Sequence, residues 1–270
     1  MSFKELWKRQ EAHYNHWTDG PPQNQIQFAF QNNYRIFRSL LEHSPKERIL
    51  EMGCGRGTMS NFFLNDGFNC HMLDLEKTAV KRGKENLDAG GFKSNFVCGD
   101  AFELPYKDES FDVVFSIGLL EHLTWSQNSK LSHEVARILK SGGIFIHYVV
   151  PKDCMVQIRG KRINKFLRMI YRKREEEGPF VNNLTPEDYK WIVTEPDTIG
   201  WVDCFGVYPL PMISHSPKFP FTLMPNWFEA RLVKRFKKEL KKREVDYSPL
   251  DPWRCSDDYG QAYVVHGINR

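Results

Sequence analysis

From about residue 46 to residue 150, short apolar runs alternate with stretches of helical period, and few folds accommodate that alternation. The runs are "RILEMG", "CHMLDL", "NFVCGD", "FDVVFSIG" and "IFIHYVV". Helices are expected from about Thr58, from about Thr78 and over "KLSHEVARILKSGG", the last ended by Gly142 and Gly143, while Asp108 and Ser110 mark the turn before the fourth run. Strands joined through helices need crossovers, and crossovers make neighbouring strands parallel and cover both faces of the sheet. The fold class is therefore α/β, with a doubly wound parallel sheet. After the fifth run the alternation stops. Residues 152–184 read as an inserted helical segment, and "WVDCFGVYPLP" and "GQAYVVHGIN" read as two further strands. A second insertion, at about 210–258, lies between those strands and contains the helical stretch "NWFEARLVKRFKKELKKRE". The first 45 residues read as an amphipathic helical lead-in.

Composition sets outer bounds. The 270 residues suffice for one large α/β domain or two small ones, and 41% hydrophobic, 27% charged and 14% aromatic residues describe a soluble globular chain. No apolar stretch approaches the roughly 20 residues that span a bilayer, and "MSFKELWKRQEAHYNHW" lacks a signal-peptide centre, so a cytoplasmic location is expected. The six cysteines show neither CxxC nor zinc-type spacing, which predicts reduced thiols and no structural metal.

The loop "ILEMGCGRGTMS" follows the first apolar run and places Gly53, Gly55 and Gly57 at alternate positions behind Glu51. Glycines after a first strand let backbone approach a ligand where a Cβ would collide. The spacing is G-x-G-x-G, which lacks the third-glycine spacing of the dinucleotide fingerprint. Asp74 ends the second predicted strand, where a carboxylate accepts from ribose hydroxyls. Asp100 ends the third, where a carboxylate can accept from the adenine amino group and the Ala101 amide can donate to the ring. Two acids beside a glycine loop suit an adenosine carrying a sulfonium and an ammonium better than one carrying phosphates. Asp100 has no role in a nicotinamide dinucleotide site, so that alternative is set aside.

The segments "ILEMGCGRGTMS", "MLDLEKTAV", "GDAFELPYKDESFDVVFSIGLLEHL" and "VARILKSGGIFI", in this order and spacing, resemble the class I S-adenosylmethionine-dependent methyltransferases of the small-molecule kind over about residues 46–150. The resemblance implies a Rossmann-like methyltransferase sheet over 46–270, with residues 1–45 as a helical lid and both insertions shaping the substrate site. It implies S-adenosylmethionine as cofactor and S-adenosylhomocysteine as product. Glu51, Gly53, Gly55 and Gly57 then line the methionine portion and Asp74 holds the ribose, with Leu75 also in the cofactor site. Asp100 and Ala101 meet the adenine, and Ser116 sits at the strand end beside the methionine amino group. The acceptor is expected to be an O, N or C centre of a small metabolite, with a lipid-linked or acidic portion in view of the basic segments.

Methyl transfer needs alignment more than catalytic groups, but a hydroxyl or ammonium acceptor must lose a proton. His122, just past the fourth strand, is the leading base candidate; its alternative is a structural histidine bonded to backbone. His147, inside the fifth strand, reads first as a satisfied core histidine and is carried with Tyr14 and Trp17 as a substrate or lid candidate. His13 and His16 have no third partner, so no metal is expected.

Two basic amphipathic helices stand out. One has Ile163, Phe166, Leu167 and Ile170 on one stripe among arginines and lysines; the other sets Phe228, Leu232, Phe236 and Leu240 opposite Lys234, Lys237, Lys238, Lys241 and Lys242. Such helices commonly cover a core; the sharper alternative is peripheral contact with an anionic membrane. A nucleic-acid methyltransferase is disfavoured because "SIGLLEH", and no N-P-P-Y-type tetrapeptide, follows the fourth strand. A non-catalytic cofactor-binding partner protein is the remaining alternative. The oligomeric state is not readable.

Overall fold

The structure, a computed structural model, describes residues 17–41, 48–93, 95–172, 179–213, 223–246, 252–256 and 260–270. Strands β1 (Arg48–Met52), β2 (Asn69–Asp74), β3 (Asn95–Cys98), β4 (Phe111–Ile117), β5 (Leu139–Val149), β6 (Ile199–Val207), β7 (Arg254–Cys255) and β8 (Ala262–Asn269) form one sheet in the order β3-β2-β1-β4-β5-β8-β6-β7. The first five run parallel; β8 is antiparallel to β5 and to β6, and β7 is antiparallel to β6. The strand order reverses between β1 and β4. At such a switch point the connections leave toward opposite faces and open a crevice beyond the carboxyl ends of the strands.

Helices α1 (Gln25–Leu40), α2 (Thr58–Asn65), α3 (Lys77–Ala89), α4 (Trp125–Ile138), α5 (Met155–Ile170), α6 (Pro186–Val193) and α7 (Asn226–Asp246) surround the sheet. Because side chains alternate along a strand, β4 serves both faces. Val114 joins Leu50, Met52 and Phe145 under Leu131 and Val135 of α4 and Tyr189 of α6. Val113 and Phe115 join Ile49 and Ile146 under Ile36 and Phe37 of α1 and Met59 and Phe63 of α2. Phe115 meets the Phe37 ring edge-on at 5.5 Å and the Phe63 ring at 5.3 Å. A third cluster joins Ile26 and Phe28 of α1 to Leu232, Val233, Phe236 and Leu240 of α7. The described part of the helical lead-in is thus built into two cores.

One expected boundary moves. Gly142 and Gly143 do not end α4: that helix stops at Ile138, and β5 begins at Leu139. The Asn269 amide, from the end of β8, donates to the Leu139 carbonyl at 3.0 Å and satisfies backbone where the helix turns into the strand. The glycines instead serve a kink inside β5. Gly142 has φ +75°, and a Cβ on Gly143 would stand 2.8 Å from the Lys140 carbonyl oxygen. Helix α4 also starts earlier than expected, at Trp125, because Thr124 and Gln127 form a capping box.

Truncating Phe115, fully buried between two rings, is expected to lower unfolding free energy by about 3–5 kcal/mol in Phe115→Ala. Urea denaturation measures this.

Candidate functional site

The crevice is built on a turn that only glycine can make. Gly53, Gly55 and Gly57 have φ of +62°, +54° and +66°, in the left-handed region that costs other residues strain. Three hydrogen bonds hold the turn: Cys54 N–H to the Leu73 carbonyl at 3.0 Å, Gly57 N–H to the Cys54 carbonyl at 2.8 Å, and Gly55 N–H to Asp74 Oδ2 at 2.8 Å. A Cβ on Gly53 would lie 3.2 Å from Leu119, and one on Gly57 3.1 Å from Phe96. A residue not singled out in the sequence completes the packing. Gly83, in mid α3, lets that helix come so close that a Cβ there would stand 2.6 Å from Phe96 and 3.2 Å from the Gly55 carbonyl oxygen. Its signal was present as a glycine interrupting an amphipathic helix.

Glu51 lies buried behind the turn, and its Oε2 accepts from the Ser60 amide at 3.0 Å and the Ser60 hydroxyl at 2.5 Å. Burial nevertheless pushes its carboxyl up to about 7, with the Asp74 charge adding to the effect. Asp74 is also held above its ordinary value by burial, opposed by the amides of Glu76 and Gly55. Burial thus disfavours the ionised form of both acids that flank the turn. Beyond them Leu75 is 66% exposed at the end of β2. Asp100 is exposed past β3 and accepts from the Phe102 amide at 2.9 Å, with Ala101 half-buried beside it. Glu51, the glycines, Asp74, Leu75, Asp100 and Ala101 therefore lie along one edge of the sheet.

Ser116 and His147 behave differently. They are opposite each other in the β4–β5 register, both buried, and the Ser116 hydroxyl and His147 Nδ1 lie 2.9 Å apart. The imidazole stacks on Phe145, and burial pushes it down to about 3, so it is neutral. Its surroundings are Ser132, Val135 and Val193, around a cavity of about 10 Å³. His147 thus sits in the core, bonded to Ser116, as its position inside the fifth strand suggested. The Ser116 hydroxyl is engaged with that histidine at the end of β4.

After β4 the chain makes a 3₁₀ turn, Leu120–His122. Two asparagines brace it: the Asn182 amide donates to the Leu120 and Leu123 carbonyls at 2.9 and 2.8 Å, the Asn182 N–H to the Glu121 carbonyl at 2.7 Å, and the Asn128 amide to the Leu120 carbonyl at 3.1 Å. Tyr189 Oη in turn donates to Asn182 Oδ1 at 2.9 Å. His122 Nδ1 lies 2.6 Å from the Phe180 carbonyl. A carbonyl only accepts, so Nδ1 carries the proton and Nε2 is the basic nitrogen of the neutral ring. Glu121 is a further buried acid, one that sequence reasoning passed over. Its Oε1 accepts from Val150 N–H at 3.3 Å, Oε2 has no partner among the described residues, and burial pushes the carboxyl up to about 8. Trp17 is half-buried, edge-on to Phe92 at 6.2 Å, whereas Tyr14, His13 and His16 lie outside the described residues.

Residues 50–147 match the family described as "Methyltransferase domain". Over this stretch the chain carries a methyltransferase domain. The chain is 32% identical over 112 residues to 24-methylenesterol C-methyltransferase 2 of Oryza sativa, covering 40% of this chain and 30% of that one. It is 33% identical over 103 residues to 2-methyl-6-phytyl-1,4-hydroquinone methyltransferase of Synechocystis, covering 38% and 31%. It spans less than half the length of the curated relatives it matches. Among solved structures, the YcgJ protein of Bacillus subtilis superposes with a TM-score of 0.55 at 18% identity, over 88% of this chain and 99% of that one, a likeness of fold. Among the described residues no group of three or more His, Cys, Asp or Glu is placed to hold a metal ion.

The Glu51 shift has a definite sign. Its carboxyl titrates at about 7 in the folded chain against an ordinary 4.5, so the native state binds more protons in between and loses stability as pH rises through that window. In Glu51→Gln the loss disappears. The stability of the variant relative to wild type should increase by roughly 3 kcal/mol between pH 4.5 and pH 7.5, read by denaturation across pH without cofactor.

Proposed function

We propose that this chain transfers the methyl group of S-adenosylmethionine to an oxygen, nitrogen or carbon centre of a small molecule and releases S-adenosylhomocysteine. The observation that carries the proposal is the pair of buried, reluctantly ionised acids, Glu51 and Asp74, on either side of a turn too tight for side chains. Such a site disfavours phosphate and gains from a cation, since a positive charge nearby favours the ionised form of both acids. S-adenosylmethionine suits it: Glu51 with Gly53, Gly55 and Gly57 would hold the methionine portion, Asp74 the ribose, and Leu75, Asp100 and Ala101 the adenine. Residues 46–270 would act as the methyltransferase domain, with residues 1–45 covering it and the insertions 152–184 and 210–258 shaping the acceptor site.

When bound, the cofactor supplies an electrophilic methyl group on a sulfonium. The chain's own work is to bind, to exclude water and to manage one proton. His122, oriented by the Phe180 carbonyl, would take the proton of a hydroxyl or ammonium acceptor at Nε2. The asparagine brace under the Leu120–His122 turn keeps that ring in place. The names of the relatives, a sterol and a hydroquinone methyltransferase, support a small-molecule acceptor. The basic and aromatic elements after β5 suit an acceptor with an apolar or acidic portion.

Asp74→Ala removes the ribose acceptors and one pin of the glycine turn, so S-adenosylhomocysteine affinity should fall about 10–100-fold by calorimetry, the equivalent of about 1.5–3 kcal/mol; an unchanged affinity would remove Asp74 from the site. His122→Ala should leave that affinity within about twofold and lower transfer of labelled methyl groups to acceptors in a metabolite extract by about 10²–10⁴-fold. A variant as fast as wild type would take His122 out of the reaction.

A further inference from the structure

The two basic amphipathic helices carry the same sequence pattern and end in different surroundings. Helix α7 buries its stripe: Leu232, Phe236 and Leu240 are all in the core, and its lysines face out. Helix α5 does not. Only Val156 and Gly160 of α5 are buried, near its amino end, where Arg159 also donates to the Met212 carbonyl at 3.4 Å. In the distal half Phe166, Met169 and Ile170, followed by Tyr171, are 55–70% exposed, and Leu223 and Trp227 across the way are 56% and 67% exposed. Between these rows runs an apolar groove of about 340 Å³, lined by Ile163 and Leu167 on one side and by Met224 and Phe228 on the other. A monomeric soluble surface seldom leaves so many large apolar side chains together without a use.

Charge identifies what covers them. From Met155 to Arg172 the chain carries six arginines and lysines and no aspartate or glutamate. Arg162 and Lys165 are exposed beside the apolar row, and Lys237, Lys238, Lys241 and Lys242 are exposed farther along α7. A helix with aromatic and aliphatic groups on one side and charges of positive sign alone on its polar side is the form that lies in the headgroup layer of a bilayer, where apolar burial and attraction to anionic lipid add together. Among the described residues no helix is long and apolar enough to cross a membrane, so the contact is peripheral. We propose that the distal half of α5, together with Leu223 and Trp227, docks this chain on an anionic bilayer surface. The docking goes beyond methyl transfer and does not depend on it.

The test is co-sedimentation of the whole chain with phosphatidylcholine vesicles, with and without phosphatidylglycerol, at low and high salt. Two variants accompany wild type: Phe166→Ser with Ile170→Ser, and Lys161→Gln with Arg162→Gln and Lys165→Gln. Wild type should pellet with the phosphatidylglycerol vesicles at low salt, at least tenfold less at high salt, and not with phosphatidylcholine alone. Both variants should lose at least tenfold in vesicle binding while keeping wild-type thermal unfolding and S-adenosylhomocysteine affinity, which shows that they are folded. Absence of wild-type binding overturns the proposal, as does binding that survives the two serine substitutions. So does a dimer that buries Phe166 and stays off vesicles, or RNA binding that displaces the vesicles and ignores those substitutions.

Discussion

The hydrogen bond from the Gly55 amide to the Asp74 carboxylate ties the crevice to the sheet. Three glycines at positive φ have much backbone freedom to lose, and within the turn itself one hydrogen bond, Gly57 N–H to the Cys54 carbonyl, opposes that freedom. Two of its three hydrogen bonds lead to β2, one to the Leu73 carbonyl and one to the Asp74 side chain. The position of the turn is therefore inherited from the β1–β2 register, in which Met52 stands opposite Leu73. A slip of one residue would turn Asp74 toward the other face and leave Gly55 N–H without its acceptor. Gly83 serves the same end from outside, since any side chain there would drive α3 off the turn.

Around this pinned loop the fold keeps ionisable groups in low-polarity surroundings, which shifts each toward its neutral form. Burial raises Glu51 to about 7 and Glu121 to about 8 and lowers His147 to about 3. The three are not equivalent. His147 is bonded to Ser116 in the middle of the sheet, away from the edge, so its neutrality serves packing. Glu51 stands at the end of β1, where a ligand's charge can reach it, and its raised value stores free energy that a cation releases on binding. Glu121 has one oxygen engaged and one without a partner among the described residues, next to the candidate base. In this crevice the acids are poised by desolvation more than by each other.

The parts of this architecture legible in the sequence are those set by local periodicity and local backbone chemistry. Strands β1 to β5, the start of α2 at Thr58 and the glycine turn all follow from rules that act within a few residues. What escaped is what depends on chain returning from afar. Gly142 and Gly143 look like a helix stop, but the stop is provided by Asn269, 130 residues away from Leu139, and the glycines belong to a kinked strand. Ser116 reads as a strand-end ligand until the register brings His147 against it. Asn182, in an insertion with no motif of its own, holds three groups of the turn that carries Glu121 and His122. An asparagine brace has no periodicity and leaves no local trace.

Helices α5 and α7 mark the limit of pattern reading most clearly. Binary pattern states that a helix has an apolar side; it does not state what that side meets. For α7 the partner is α1, whose Ile26 and Phe28 close over Phe236 and its neighbours. For the distal half of α5 the described fold supplies no such wall, and Phe166, Met169 and Ile170 remain at the surface with a cationic collar. The difference comes from attachment. Helix α5 buries only Val156 and Gly160, and its Ile163 and Leu167 line an open groove, where α7 buries Leu232, Phe236 and Leu240. Beyond that groove Phe166, Met169 and Ile170 meet nothing in the described fold that buries them, so a partner that covers them comes from outside it.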